Sequence, residues 1–210
     1  MNITSGSSSS TDNVNSIIVF GARGRVGRAV VAEARARGHR VTEVGRAEGD
    51  VTSAADVARL AAGHDAAVVA VYDPQAAPGA YFPAVARALA AGLPRAGVGR
   101  LVGVGLASVL PTESGAALMD TPGYPQEWRE FYVGHGAGTD ALREAAPEAL
   151  DWVVLSPAGD FDPDGAPAGG HAFAPADAAS RITHADFARA VVDEATAPTL
   201  HAAHTGVGPA

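Results

Sequence analysis

Ser16-Ile17-Ile18-Val19-Phe20-Gly21-Ala22-Arg23-Gly24-Arg25-Val26-Gly27 decides how this chain is read. Ile17 to Phe20 is a short run of β-branched and aromatic residues, the composition of a strand buried on both faces. Gly21, Gly24 and Gly27 follow at three-residue spacing. In such a turn the first glycine permits the sharp bend. The second lets a pyrophosphate approach the backbone, and the third lets the following helix pack close to the strand. The helix start then offers free N–H groups and the positive end of a dipole to phosphate. A glycine triplet alone is a weak signal. The strand before it and the helix after it turn it into a dinucleotide site, with Gly21, Arg23, Gly24, Arg25, Val26 and Gly27 as cofactor-binding candidates.

Working outward, residues 25–37 read as that helix. Val26, Val30 and Ala34 face the sheet, and Gly38 ends the helix. Residues 40–44 form a second strand, closed by Gly45-Arg46. The residue at this strand end meets the adenosine ribose: an acid there favours a free 2′-hydroxyl, an arginine a 2′-phosphate. Arg46 therefore points to NADP(H) over NAD(H), with Arg23 and Arg25 adding positive charge nearby. The alternatives are that these arginines are solvated surface residues, or that Glu43 contacts the ribose. In Gly49-Asp50-Val51-Thr52, Asp50 and Val51 sit where a loop could cover adenine, although Asp50 could equally be a turn residue. Thr52 or Ser53 caps a helix over 53–62, with Val57 and Leu60 inward.

Residues 65–71 read as a third buried strand. Ligands in open parallel sheets bind beyond the C-terminal strand ends, so Ala70, Val71 and Tyr72 should border the cofactor. An alanine-rich helix begins near Tyr81 and runs to Ala91. The fourth strand covers 100–104, followed by Ser108. Pro and Gly residues make 109–128 mostly loop, placed as a substrate lid would be. A helix over 126–143 is weakened by Gly134, Gly136 and Gly138. Residues 152–155 form a fifth strand, and 156–161 leave the sheet beside the cofactor. Residues 162–170 read as a hairpin tip. Thr183 caps a last helix to Glu194, and 204–207 close as a short strand.

The chain has 210 residues, 47% hydrophobic and 18% charged, which suits one α/β domain with a sizeable core. The net charge of −8 argues against a nucleic-acid partner. Residues 1–15 are Ser- and Asn-rich, without the apolar core of a signal peptide, and read as a disordered tail before a domain over 16–210. No segment is long and apolar enough for a membrane partner, and a cytoplasmic location is expected. There is no cysteine, which excludes thiolate catalysis and cysteine metal sites. All 15 basic residues are arginine, so no lysine is available for Schiff-base chemistry or for tuning a tyrosine. The histidines show no ligand spacing, and no catalytic metal is expected.

Gly21-x-x-Gly24-x-x-Gly27, Arg46, Gly49-Asp50-Val51, Arg100-Leu101-Val102-x-Val104-Gly105 and Asp151-Trp152-Val153-Val154-Leu155-Ser156-Pro157 together resemble the atypical short-chain dehydrogenase/reductases. More narrowly, the chain resembles the small NAD(P)H-binding proteins grouped with NAD-dependent epimerase/dehydratases, NmrA-like proteins and biliverdin reductase B-like flavin reductases. The resemblance spans nearly all of 16–207. It implies a Rossmann-type doubly wound, mainly parallel sheet with helices on both faces. It also implies NADP(H) across the strand ends, with Pro157 on a loop beside the nicotinamide and substrate loops at 109–128 and 156–170.

Family members with the full catalytic set use a serine, a tyrosine and a lysine four residues after the tyrosine, the lysine lowering the tyrosine pKa. Ser108 and Tyr132 stand at suitable places, but Gly136 occupies the lysine position. His135 is adjacent, and histidine can exchange a proton near neutral pH. Ser108, Tyr132 and His135 are therefore the catalytic candidates, each with a structural alternative as loop hydroxyl, core-edge ring or surface residue. The expected function is an NAD(P)H-dependent oxidoreductase passing hydride to a small organic substrate. The alternatives are a redox sensor that binds NADP(H) without turnover, or an epimerase/dehydratase using bound NAD.

Overall fold

The first strand, β1 (Ser16–Phe20), is buried along its whole length because both sides of the sheet are covered. The computed structural model describes residues 15–210. The expected tail over 1–15 therefore lies outside the described residues except for Asn15. The other elements are α1 (Arg25–Ala36), β2 (Arg40–Val44), α2 (Ala54–Ala61), β3 (Ala66–Val69), α3 (Pro78–Arg95) and β4 (Arg100–Val104). They continue with α4 (Arg129–Ala145), β5 (Asp151–Pro157), β6 (Asp160–Phe161), β7 (Ala172–Ala174), β8 (Arg181–Ile182), α5 (His184–Thr196) and β9 (Ala203–Gly208).

The main sheet runs in the order β2-β1-β3-β4-β5-β9-β7, parallel except for β7, which pairs antiparallel with β9. Side chains alternate across it. Ile17 and Val19 pack with Val30 of α1 and Phe187 and Val191 of α5, while Ile18 and Phe20 pack with Val57 of α2 and Leu89 of α3. The resulting fold is a doubly wound α/β domain. From β1 the order passes to β2 on one side and β3 on the other, so a switch point opens between β1 and β3, where such sheets bind ligands.

Several boundaries differ from expectation for physical reasons. β3 ends at Val69 because its partner β1 ends at Phe20; Ala70 donates one more bond to the Phe20 carbonyl and the chain then peels away. α3 starts at Pro78, not Tyr81. Proline is tolerated in the first turn, and the apolar stripe of Phe82, Val85, Leu89 and Leu93 carries the helix past Pro83. α4 forms despite its glycines because these let it approach α3. A Cβ on Gly134 would lie 2.6 Å from Pro78, and one on Gly138 would lie 2.8 Å from Phe82. Packing thus outweighs a propensity cost of about 1 kcal/mol per glycine.

β5 extends through Ser156 and Pro157, which were expected to have left the sheet. Ala158 donates to Val207 of β9, so by alternation the nitrogen of Pro157 faces the β4 side, beyond the last paired residue of β4. Residues 162–170 are not a hairpin tip: β6 pairs parallel with β8, so the connection between them returns in the same direction. Buried Asp186 anchors this connection, accepting the Ala168 and Gly169 N–H groups at 2.8 and 2.9 Å.

At the opposite end of the strands, Arg100 opens β4 and is buried. It donates to Asp151 (2.7 Å), to the Leu200 carbonyl (3.0 Å), and to both the carboxylate (2.8 Å) and the main-chain carbonyl (2.9 Å) of Glu194. Glu194, 2% exposed, also accepts the Thr199 and Leu200 N–H groups. This clasp ties the end of α5 to the sheet.

Candidate functional site

A cleft of about 630 Å³ opens at the C-terminal end of β1, between the chain leaving β2 and the chain leaving β3. The glycine turn forms its floor. Gly21 has φ +81°, and a Cβ there would lie 2.1 Å from the Ala70 carbonyl oxygen. Gly24 is the N-cap of α1 in extended geometry, and a Cβ there would have 3.3 Å to its nearest neighbour. On Gly27 a Cβ would meet the Gly21 oxygen at 2.2 Å. The floor is therefore bare backbone capped by a helix start, where the first N–H groups lack intrahelical acceptors. A pyrophosphate fits such a cradle.

Of the predicted cofactor residues, Gly21, Arg23, Gly24, Arg46, Asp50, Val51, Ala70, Val71 and Tyr72 line this cleft. Val26 and Gly27 lie behind it: Val26 packs against the core and Gly27 lies under the turn. Arg25 points outward, near enough to His184 to help hold that histidine's pKa below its usual value, after burial. Pro157 is buried in β5 and is not part of the cleft wall.

Two residues that were not cofactor candidates, Glu48 and Asp73, order the cleft's charges. Glu48 accepts the Gly45 N–H at 2.7 Å and pairs with Arg23 at 2.6 Å, and these contacts, the Gly45 N–H foremost, hold its carboxyl below the usual range. Asp73 pairs with Arg46 at 3.2 Å, while Arg46 also donates to the Tyr72 carbonyl at 3.0 Å. Asp50 has a structural duty in its turn as well as a place at the cleft. It borders the cleft, and its carboxylate caps the turn by accepting the Thr52 N–H and hydroxyl at 2.8 and 2.7 Å.

The three catalytic candidates stand apart from this cleft. Ser108 is buried and its Oγ has no partner among the described residues. Tyr132 stacks edge-on to Tyr124 at 5.6 Å, and burial raises its phenol pKa. His135 lies against Phe82, with ring centres 4.2 Å apart and its Nδ1 atom inaccessible and without a partner among the described residues. It is not a surface histidine. Burial, and then the neighbouring His204, push its pKa down to about 4, so it is neutral at pH 7 and does not exchange a proton there as expected. It lines an apolar cavity of about 60 Å³ that shares Val71 with the glycine-floored cleft.

A further polar pair was invisible in sequence. Ser156 Oγ and His204 Nε2 share a hydrogen bond of 2.9 Å, packed against Gly105, where a Cβ would lie 2.4 Å from the serine oxygen. Only the parallel pairing of β5 with β9 brings them together. Burial, reinforced by Arg143, lowers the His204 pKa to about 4.

Because His135 and His204 are neutral when folded but take up protons near pH 6.5 when unfolded, the unfolded chain binds more protons between pH 6.5 and 4. Stability is therefore expected to fall as pH drops through this window. The slope is up to about 1.4 kcal/mol per pH unit for each histidine. Urea unfolding at pH 7.5, 6 and 5 checks this, and His204→Gln should flatten the dependence; an unchanged slope would contradict the lowered pKa.

The sequence profile of a family described as NAD(P)H-binding matches residues 43–198. The uncharacterized protein YwnB of Bacillus subtilis is 34% identical over 200 residues, covering 86% of this chain and 92% of that protein. Among solved structures, a Bacteroides thetaiotaomicron protein provisionally named an epimerase superposes with TM-score 0.79 at 29% identity, covering 94% of this chain and 98% of its own. A Streptococcus pneumoniae protein provisionally named an NADH-flavin reductase superposes with TM-score 0.76 at 28% identity, covering 93% of this chain and 100% of its own. With its glycine-floored cleft at the sheet's switch point, this chain belongs to the NAD(P)H-binding family.

Proposed function

We propose that this protein is an NADP(H)-dependent oxidoreductase that reduces a small organic substrate. The observation that carries the reading is Arg46, placed at the end of β2 on the wall of a cleft whose floor is bare glycine backbone. A 2′-phosphate on the adenosine ribose would meet this guanidinium. The free N–H groups at the start of α1, including those of Arg25 and Val26, would receive the pyrophosphate. When bound, NADPH supplies the hydride. The chain's own part is to hold and orient the reactants and to exclude water. The loops over 109–128 and 156–170 flank the substrate in this reading. Tyr132, kept as a neutral phenol, and the unpartnered Ser108 hydroxyl are the groups able to donate a hydrogen bond or proton to it. Neutral His135 can offer a hydrogen bond but not a charge. The Streptococcus pneumoniae relative's name, NADH-flavin reductase, supports reductase chemistry, and the chain's lack of a lysine weighs against the base-driven chemistry of an epimerase.

The test is titration of nucleotide-free protein with NADPH and NADH by fluorescence, followed by NADPH oxidation with quinones, flavins, enones and ketones. NADPH should bind more tightly. Arg46→Ala should weaken NADPH about tenfold and NADH less than about twofold, the expected size for one charge-assisted contact. Tight binding without turnover would favour the sensor reading, which the small size of the cavity beside His135 supports. Binding of neither nucleotide would overturn the assignment.

A further inference from the structure

We propose that Asp73 sets the coenzyme preference of the cleft by competing with a ribose 2′-phosphate for Arg46. The inference rests on the reading of this cleft as an NADP(H) site and concerns what else that site contains. Arg46 comes from the chain leaving β2 and Asp73 from the chain leaving β3, so their ion pair crosses from one wall of the cleft to the other. The two partners are held unequally. The Asp73 Oδ1 that accepts from Arg46 also accepts the Gln75 N–H at 3.0 Å, and its side chain is only 29% exposed. The Arg46 side chain is 68% exposed and is the partner free to swing. Tyr81 and Asp50 share this wall. The Tyr81 phenol pKa is raised by burial and then by Asp73, as expected if the aspartate's charge faces into the cleft.

Both cleft arginines are thus already committed to acids, Arg23 to Glu48 and Arg46 to Asp73. Among the described residues that line the cleft, an incoming 2′-phosphate finds each guanidinium already paired. It must displace a fixed carboxylate and then lie next to it, like charge against like. A 2′-hydroxyl requires neither change, because the pair stays closed and Asp73 Oδ2 can accept from the hydroxyl. Asp73 therefore narrows the advantage that Arg46 alone would confer on NADPH, and tunes the site toward use of both coenzymes.

Asp73→Asn removes the charge and keeps an oxygen for the Gln75 N–H. Calorimetric titration of wild type and variant with NADPH, NADH, 2′,5′-ADP and 5′-AMP tests the proposal without any substrate. NADPH and 2′,5′-ADP should bind about three- to tenfold more tightly to Asp73→Asn, the scale of one exposed ion pair plus relief of a like charge. NADH and 5′-AMP should bind equally or up to about threefold more weakly. In an Arg46→Ala background the gain should shrink to the part that comes from relief of like charge, about two- to threefold, since the competition itself needs the arginine. An equal gain in that background, an equal gain for NADH, or no gain for NADPH would each overturn the competition while leaving the nucleotide site standing. Failure of the wild-type protein to bind NADPH or NADH would instead remove the site itself, and the proposal with it.

Discussion

Gly21→Ala should abolish measurable NADPH binding and lower stability by about 2–4 kcal/mol. Part of the loss is the left-handed backbone that φ +81° imposes, which costs an L-residue roughly 1–2 kcal/mol. The remainder is steric. The new methyl would sit 2.1 Å from the Ala70 carbonyl oxygen and 3.2 Å from Val71, so the end of β3 must move, and that segment is a wall of the cleft. Gly24→Ala is the informative companion. Its backbone is extended and its Cβ would have 3.3 Å of clearance, so stability should fall by less than about 1 kcal/mol. If the pyrophosphate lies on this turn as proposed, the methyl would obstruct its approach, and NADPH should weaken roughly 10- to 100-fold. Fluorescence titration beside urea unfolding separates the two effects. A Gly24→Ala protein that binds NADPH like wild type would mean that phosphate does not lie on this turn.

The second large effect lies at the far end of the sheet. Glu194→Ala should cost about 3–5 kcal/mol, because it leaves the buried Arg100 guanidinium with one carboxylate instead of two and strands the Thr199 and Leu200 N–H groups. That is a large share of a typical domain's stability of about 5–15 kcal/mol. Nucleotide affinity of the folded protein should be unchanged, since the clasp joins the N-terminal ends of β4 and β5 to α5 and touches no cleft residue. Replacing both partners with apolar residues, Arg100→Met with Glu194→Leu, should recover much of the loss. A cost under about 1 kcal/mol in urea unfolding would show that water or Asp151 replaces the missing carboxylate.

Elements made by neighbouring residues are legible in the sequence. β2 and β4 fall where their β-branched runs place them, and the caps Ser53 and Thr183 accept the Asp56 and Asp186 N–H groups as their spacing indicated. Boundaries set by a partner could not. β3 stops because β1 stops, and β5 continues because β9 continues. α3 and α4 were obscured by their own prolines and glycines, whose propensity costs are local while the packing that overcomes them is not.

The same division runs through the candidate site. By itself the sequence determined the strand–glycine turn–helix, the arginine at the end of the second strand and the absence of a lysine to assist Tyr132. These depend on residue type and on spacings of a few residues, which the chain's local geometry preserves. The tertiary structure alone decided that Arg46 answers to Asp73, Arg23 to Glu48, Ser156 to His204 and Arg100 to Glu194. It also decided that His135 packs half-buried against Phe82, with its pKa lowered, rather than standing at the surface. Each of these contacts joins residues 25 to 94 positions apart. Their meeting is fixed by strand order and helix packing, and the charge a buried group carries is set by what surrounds it in space rather than along the chain.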